Sequence, residues 1–103
     1  MEVKVAVLCS SRPVRTAIEA AIMATKRRTE EAIIIIHPSP GDLVLNHNDI
    51  DLLVVHDGDA WINAPLLSSL SASDINIIIV DGRSAGEIKK SVIGVILDKR
   101  MAS

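Results

Sequence analysis

The chain has 103 residues, a formal net charge of −2, 49% hydrophobic residues and 23% charged residues. That length makes a single domain, residues 1–103, with a small core, and the composition excludes intrinsic disorder. The acidic balance, with no Phe or Tyr and Trp61 as the lone aromatic, excludes both a phosphate-neutralising surface and the stacking platforms of single-strand binders. No direct nucleic-acid partner is therefore expected.

Val3 to Leu8 is apolar almost throughout, as a strand covered on both faces should be. A polar turn, Cys9-Ser10-Ser11, follows. Val14, Ala17, Ile18, Ala21 and Ile22 then recur at i, i+3, i+4, i+7 and i+8, one face of a helix. Lys26-Arg27-Arg28 suits the carboxyl end of its dipole. Ala32 to Ile36 predicts a second strand, ended by His37-Pro38-Ser39-Pro40-Gly41. Asp42 to Asn48 has enough apolar content for a turn or two of helix. Asp51 to Val55 predicts the third strand, closed by His56-Asp57-Gly58-Asp59.

Trp61 to Leu70 predicts a helical segment, with Asn63 or Ala64 as its cap and Pro65 in the first turn. Trp61 itself reads as core or as an interface anchor. Ile75 to Val80 is the fourth strand, leaving through Asp81-Gly82-Arg83. Ser84-Ala85-Gly86-Glu87 has the spacing of a capping box and starts the last helix. Its end has two readings. In one, Ile88, Val92, Val95 and Ile96 form a continuous helical face. In the other, which the β-branched run favours, Gly94 caps the helix and Val95-Ile96-Leu97 is a short fifth strand.

Strands alternating with helices predict a parallel sheet with right-handed crossovers. The ends of strands one, three and four then converge on one edge, carrying Cys9-Ser10-Ser11, His56-Asp57-Gly58-Asp59 and Asp81-Gly82-Arg83. A thiol beside a helix amino terminus is a better nucleophile. Cys9 and Arg15 have the Cys-x5-Arg spacing of cysteine phosphatases, with Thr16 supplying a hydroxyl. Asp57, Asp59 and Asp81 read as solvated loop carboxylates more than as cation ligands. His37, His47 and His56 have no metal-ligand spacing, so no metal and no cofactor is expected. One cysteine makes no internal disulfide, Met1 to Val5 is no signal peptide, and the apolar runs are too short to span a membrane. These features predict a cytoplasmic protein.

Two family resemblances attach to these residues. Cys9 after the first strand, with Arg15 and Thr16, resembles the low-molecular-weight phosphatases and the phosphocysteine loop of sugar-phosphotransferase enzyme IIB domains. Asp51 to Val55 and the run Asp81-x-Arg83-x-x-Gly86 are similar to IIB segments. The loop interior, Ser10 to Val14, departs from those families in having no glycine, and Pro13 lacks a donor.

The second resemblance, to bacterial response-regulator receiver domains, covers nearly the whole chain. Asp51 to Asp57 resembles the strand that ends in the phosphoacceptor aspartate, and Gly94 to Lys99 the run into and past the fifth strand. The acidic pair after strand one is replaced by Cys9-Ser10 or Ser10-Ser11, the acceptor position falls on His56, and the final helix is missing.

The expected fold is a three-layer α/β/α, flavodoxin-like domain with a parallel sheet of four or five strands. The leading expectation for function is a degenerate receiver-like signal-transduction module, non-catalytic and regulatory, acting through protein–protein interaction. The missing helix would leave an apolar flank, which predicts a homodimer or a domain of a larger chain. The alternative is a phosphocysteine-transfer or phosphatase domain. There Cys9 is the nucleophile, Arg15 holds the phosphate, Ser10, Ser11 and Thr16 supply hydroxyls, and Asp57 or Asp81 is the acid.

Overall fold

The computed structural model describes residues 2–29, 32–39, 41–43, 49–60, 63–73, 75–81 and 85–102. The expectations placed on Val44 to Asn48, on Trp61 and on Gly82 to Ser84 lie outside the described residues. The elements are β1 (Glu2–Leu8), α1 (Arg12–Thr29), β2 (Ala32–Ile36), β3 (Leu52–His56), α2 (Asp57–Ala60), α3 (Ala64–Ser71), β4 (Asn76–Val80) and α4 (Ala85–Ala102). The strands form one parallel sheet in the order β2-β1-β3-β4.

The two central strands are apolar on both sides because both sides are covered. Val3, Val5 and Val7 pack with Ile18 and Ile22 of α1 and with Ile88, Val92, Val95 and Ile96 of α4. On the opposite face Ala6, Leu53 and Val55 meet Leu43, Ile50 and Leu70, the last from α3. Full burial of each Ile, Leu or Val contributes about 1.5–3 kcal/mol, so these two layers carry much of the stability of a chain with no Phe or Tyr.

α1 begins at Arg12, two residues before the apolar stripe. Pro13 sits in the first turn, where its missing N–H has no intrahelical partner to lose. Lys26, Arg27 and Arg28 occupy the last turn, where the dipole favours cations.

The fifth strand expected at Val95 to Leu97 does not form. Those residues lie inside α4, which runs unbroken through Gly94. Glycine in a helix costs about 1 kcal/mol, while Val95 and Ile96 are buried against the sheet and together return several times that. What is absent among the described residues is therefore the fifth strand, not the last helix.

The course of α4 decides what lies on that flank and where Lys99 stands. The apolar flank that was to drive dimerisation is covered, since α4 packs beside α1 on the face of β1 and β3. Lys99, near the end of α4, stands at the amino edge of the sheet. Its Nζ donates to Asp51 Oδ2 at 3.0 Å and to the Glu2 carbonyl at 2.6 Å. Asp51 precedes β3 instead of opening it. Its carboxylate accepts the Lys4 N–H at 2.8 Å, and its own N–H donates to the Lys4 carbonyl at 2.9 Å. No helix among the described residues is long and apolar enough to cross a membrane.

Candidate functional site

In the strand order β2-β1-β3-β4 the chain leaves β1 in one direction and returns to its other side with β3. The crevice beyond the carboxyl ends of two such strands is where open α/β sheets bind ligands. The pairing of Leu8 with Val55 carries the next residues, Cys9 and His56, side by side at that crevice. The single turn of α2 then brings Asp59 back over the same spot. One ligand-capable atom from each of Cys9, His56 and Asp59 lies within 4.8 Å of the others.

Asp59 is buried, at 7% exposure, but fully partnered. Ser10 donates its backbone N–H to Asp59 Oδ2 at 2.9 Å and its hydroxyl to Oδ1 at 2.6 Å. His56 Nδ1 stands 3.5 Å from Oδ2. The Ser10 hydroxyl bond, helped by the Ser10 amide and by His56 and opposed by burial, holds the Asp59 carboxyl below its ordinary pKa. The Asp59 carbonyl accepts the backbone and side-chain N–H groups of Asn63 at 3.1 and 2.8 Å, which ties α2 to the start of α3.

Cys9 is half-buried, and its thiol donates to the Ser11 carbonyl at 3.2 Å. Burial pushes the thiol pKa up. The backbone of Ser11 draws it back, the Asp59 charge adds to the rise, and Arg15 opposes it; the net direction is upward. A carboxylate and a thiol share the crevice, and the carboxylate holds the negative charge.

Arg15 stands beside Cys9 at the same crevice. It lines a cavity of about 240 Å³ together with Cys9, Ser10, His37, Asp59 and Asn63. The other expected residues are placed less centrally. The Ser11 carbonyl accepts from the Cys9 thiol and the Arg15 N–H, the latter at 2.9 Å. Thr16 is exposed, and its hydroxyl donates to the Arg12 carbonyl at 3.0 Å. Asp57 is exposed and reaches His56 Nε2 at 3.3 Å, on the far side of the ring from Asp59. Asp81 is exposed at the end of β4, one strand further out. The carboxylate beside Cys9 is thus Asp59. A larger cavity of about 320 Å³, beside Lys4, Ile36, His37, Asp42 and Asp49, has neither cysteine nor serine among the described residues that line it.

No protein-family model matches the sequence, and no curated protein matches it. The structure is similar to that of the lactose-specific IIB component domain of the phosphoenolpyruvate:carbohydrate phosphotransferase system from Streptococcus pneumoniae. The TM-score is 0.63 over 98% of this chain and 97% of that one, at 19% sequence identity. This is a flavodoxin-like α/β/α domain. The likeness falls on the IIB resemblance and adds nothing to the receiver one.

Within the flavodoxin-like domain, the residues that sequence reasoning undervalued are His56 and Asp59. His56 shows no metal-ligand spacing in the sequence and Asp59 reads there as a solvated loop carboxylate, because Cys9 and Ser10, which they meet, stand on another strand far back in the chain. Two signals were present: the ends of β1 and β3 adjoin at the switch point of this sheet, and His56 and Asp59 are spaced i, i+3.

Proposed function

We propose that this chain is a phosphoryl-transfer domain that accepts a phosphoryl group on Cys9 and passes it between partner proteins. The observation that carries this reading is that Cys9 and Arg15 line one cavity at the amino end of an 18-residue helix. A thiol nucleophile, a guanidinium that pairs bidentately with phosphate, and a positive dipole end are the parts such a transfer needs. The fold likeness to a phosphotransferase-system IIB domain supports it.

In the transfer, an S–P bond forms and the bond between phosphorus and the donor's leaving atom breaks. The thiol proton replaces the phosphoryl group on the donor. Arg15 balances the charge on the phosphoryl oxygens. Asp59 acts through Ser10: it anchors the turn after β1 so that Cys9 faces the cavity. The Ser10 hydroxyl is committed to Asp59 and the Thr16 hydroxyl to Arg12, so the phosphoryl group rests on Arg15 and on amides at the start of α1. The Ser10 and Arg15 amides already have partners.

The test is intact-mass spectrometry after exposure to acetyl phosphate or phosphoramidate in the presence of a chelator. The expected result is one added phosphoryl group, lost in Cys9→Ser and much reduced in Arg15→Ala. An unmodified Cys9 after both donors, in folded protein whose thiol still alkylates, overturns the reading.

A further inference from the structure

We propose that Cys9, His56 and Asp59 form a binding site for a transition-metal dication of the zinc class. Their ligand atoms come from three positions that the fold, not the sequence, brings together, and all lie within 4.8 Å of one another. Zinc bonds of about 2.0–2.3 Å in a tetrahedron place ligand atoms roughly 3.3–3.6 Å apart. A shift of about 1 Å, within side-chain rotation, therefore closes the set.

The surroundings fit a ligand set better than they fit a chance cluster. A metal-bound imidazole usually gives its second nitrogen to a carboxylate, which fixes the tautomer and aims the first. His56 is placed for this: Nε2 lies 3.3 Å from Asp57 Oδ1, and Nδ1 lies 3.5 Å from Asp59 Oδ2. A ligating carboxylate is in turn held by hydrogen bonds, and Ser10 donates to both oxygens of Asp59. Neither oxygen's bond to Ser10 exhausts its lone pairs.

The donor set also selects the ion. One thiolate, one imidazole and one carboxylate suit zinc and its neighbours, whereas magnesium and calcium take oxygen ligands. Three protein ligands beside an accessible cavity of about 240 Å³ give the open kind of site, in which a fourth position faces solvent or a small ligand. Metal occupancy and S-phosphorylation would compete for one sulfur, so the ion would act as an inhibitor of transfer through Cys9.

The experiment is a cobalt(II) titration of the chelator-stripped full chain, followed by zinc displacement and metal counting. One ion per chain is expected, with a thiolate-to-cobalt charge-transfer band that zinc removes. Cys9→Ser should abolish the band. Asp57→Asn should weaken binding by roughly 10–100-fold, as for other outer partners of a metal-bound histidine, and His56→Ala by more. Arg15→Ala should still bind one metal ion with the thiolate band, while phosphoryl acceptance is much reduced. That contrast separates the two readings, as does phosphorylation measured with chelator present. His56→Ala covers the case in which an Asp59 variant fails to fold. Absence of saturable binding, or a cobalt band unchanged in His56→Ala, overturns the proposal.

Discussion

Both carboxylate oxygens of Asp59 are held by one residue, Ser10, which stands 49 positions earlier in the chain. The backbone N–H of Ser10 reaches one oxygen and its hydroxyl reaches the other. This pair closes the carboxyl edge of the sheet between β1 and α2, much as Asp51 closes the amino edge by accepting from Lys4 and Lys99. Hydrogen bonds to a charged group contribute about 1.5–3 kcal/mol each, and leaving a buried partner unpaired costs a similar amount. Asp59→Ala is therefore expected to lower unfolding stability by about 2–3 kcal/mol. Ser10→Ala should cost about 1–2 kcal/mol, since the backbone N–H remains. Urea melts of both singles and the double variant check this. Additive losses would mean that the two side chains are not coupled.

The same pair sets an acid limb. The Asp59 carboxyl is held below its ordinary value of 3.8 in the folded state, so folding stabilises the ionised form. That contribution is fully present above the unfolded value. It is lost as pH falls through the lower, folded value. Stability of the metal-free chain should decline below about pH 4, and Asp59→Asn should flatten the decline. Melting temperatures of parent and variant across that range give the measurement; parallel curves would show that other carboxylates set the acid limb.

Cys9 should be a slow thiol at neutral pH. Burial and the Asp59 charge raise its pKa, while the Ser11 backbone and Arg15 pull the other way without prevailing. Iodoacetamide should therefore react more slowly with the folded, metal-free chain than with the same chain in denaturant. The two charged neighbours should move the rate in opposite directions: Asp59→Asn speeds alkylation, because it removes a repelling charge, and Arg15→Ala slows it. Rates followed from neutral to alkaline pH separate this from simple access, which would shift the plateau and not the midpoint.

How much of this was legible in the chain depends on the range of each interaction. β2 is bounded in the sequence as in the structure, because Ile33 to Ile36 is an apolar run between polar breaks. The buried stripe of α1, Ile18 and Ile22, follows from helical spacing alone. β3 starts one residue late because the Asp51 side chain takes the Lys4 N–H, a bond that no local pattern announces. Asp57-Gly58-Asp59 has the composition of a turn, yet forms the helical turn of α2, capped onward by Asn63. The site divides in the same way. Cys9 and Arg15 share one strand–turn–helix and are visible as a spacing. His56 and Asp59 join them only through the register that sets Leu8 against Val55.

Gly94 offers the sharpest test of the last helix. As a left-handed cap ahead of a fifth strand, it would reject any side chain. Inside α4 it has ordinary helical backbone, and a Cβ built on it meets nothing within 4 Å. Gly94→Ala should then stabilise the chain by about 0.5–1 kcal/mol, because alanine loses less backbone freedom on folding and has the better helix propensity. For a domain of about 100 residues, 1 kcal/mol moves the melting temperature by roughly 4–8 °C, well within calorimetric reach. A gain shows that Val95 and Ile96 reach the core by helical spacing, so that α4 and α1 together cover β1 and β3. A loss of similar size would return Gly94 to a cap and reopen the face on which the dimer expectation rested.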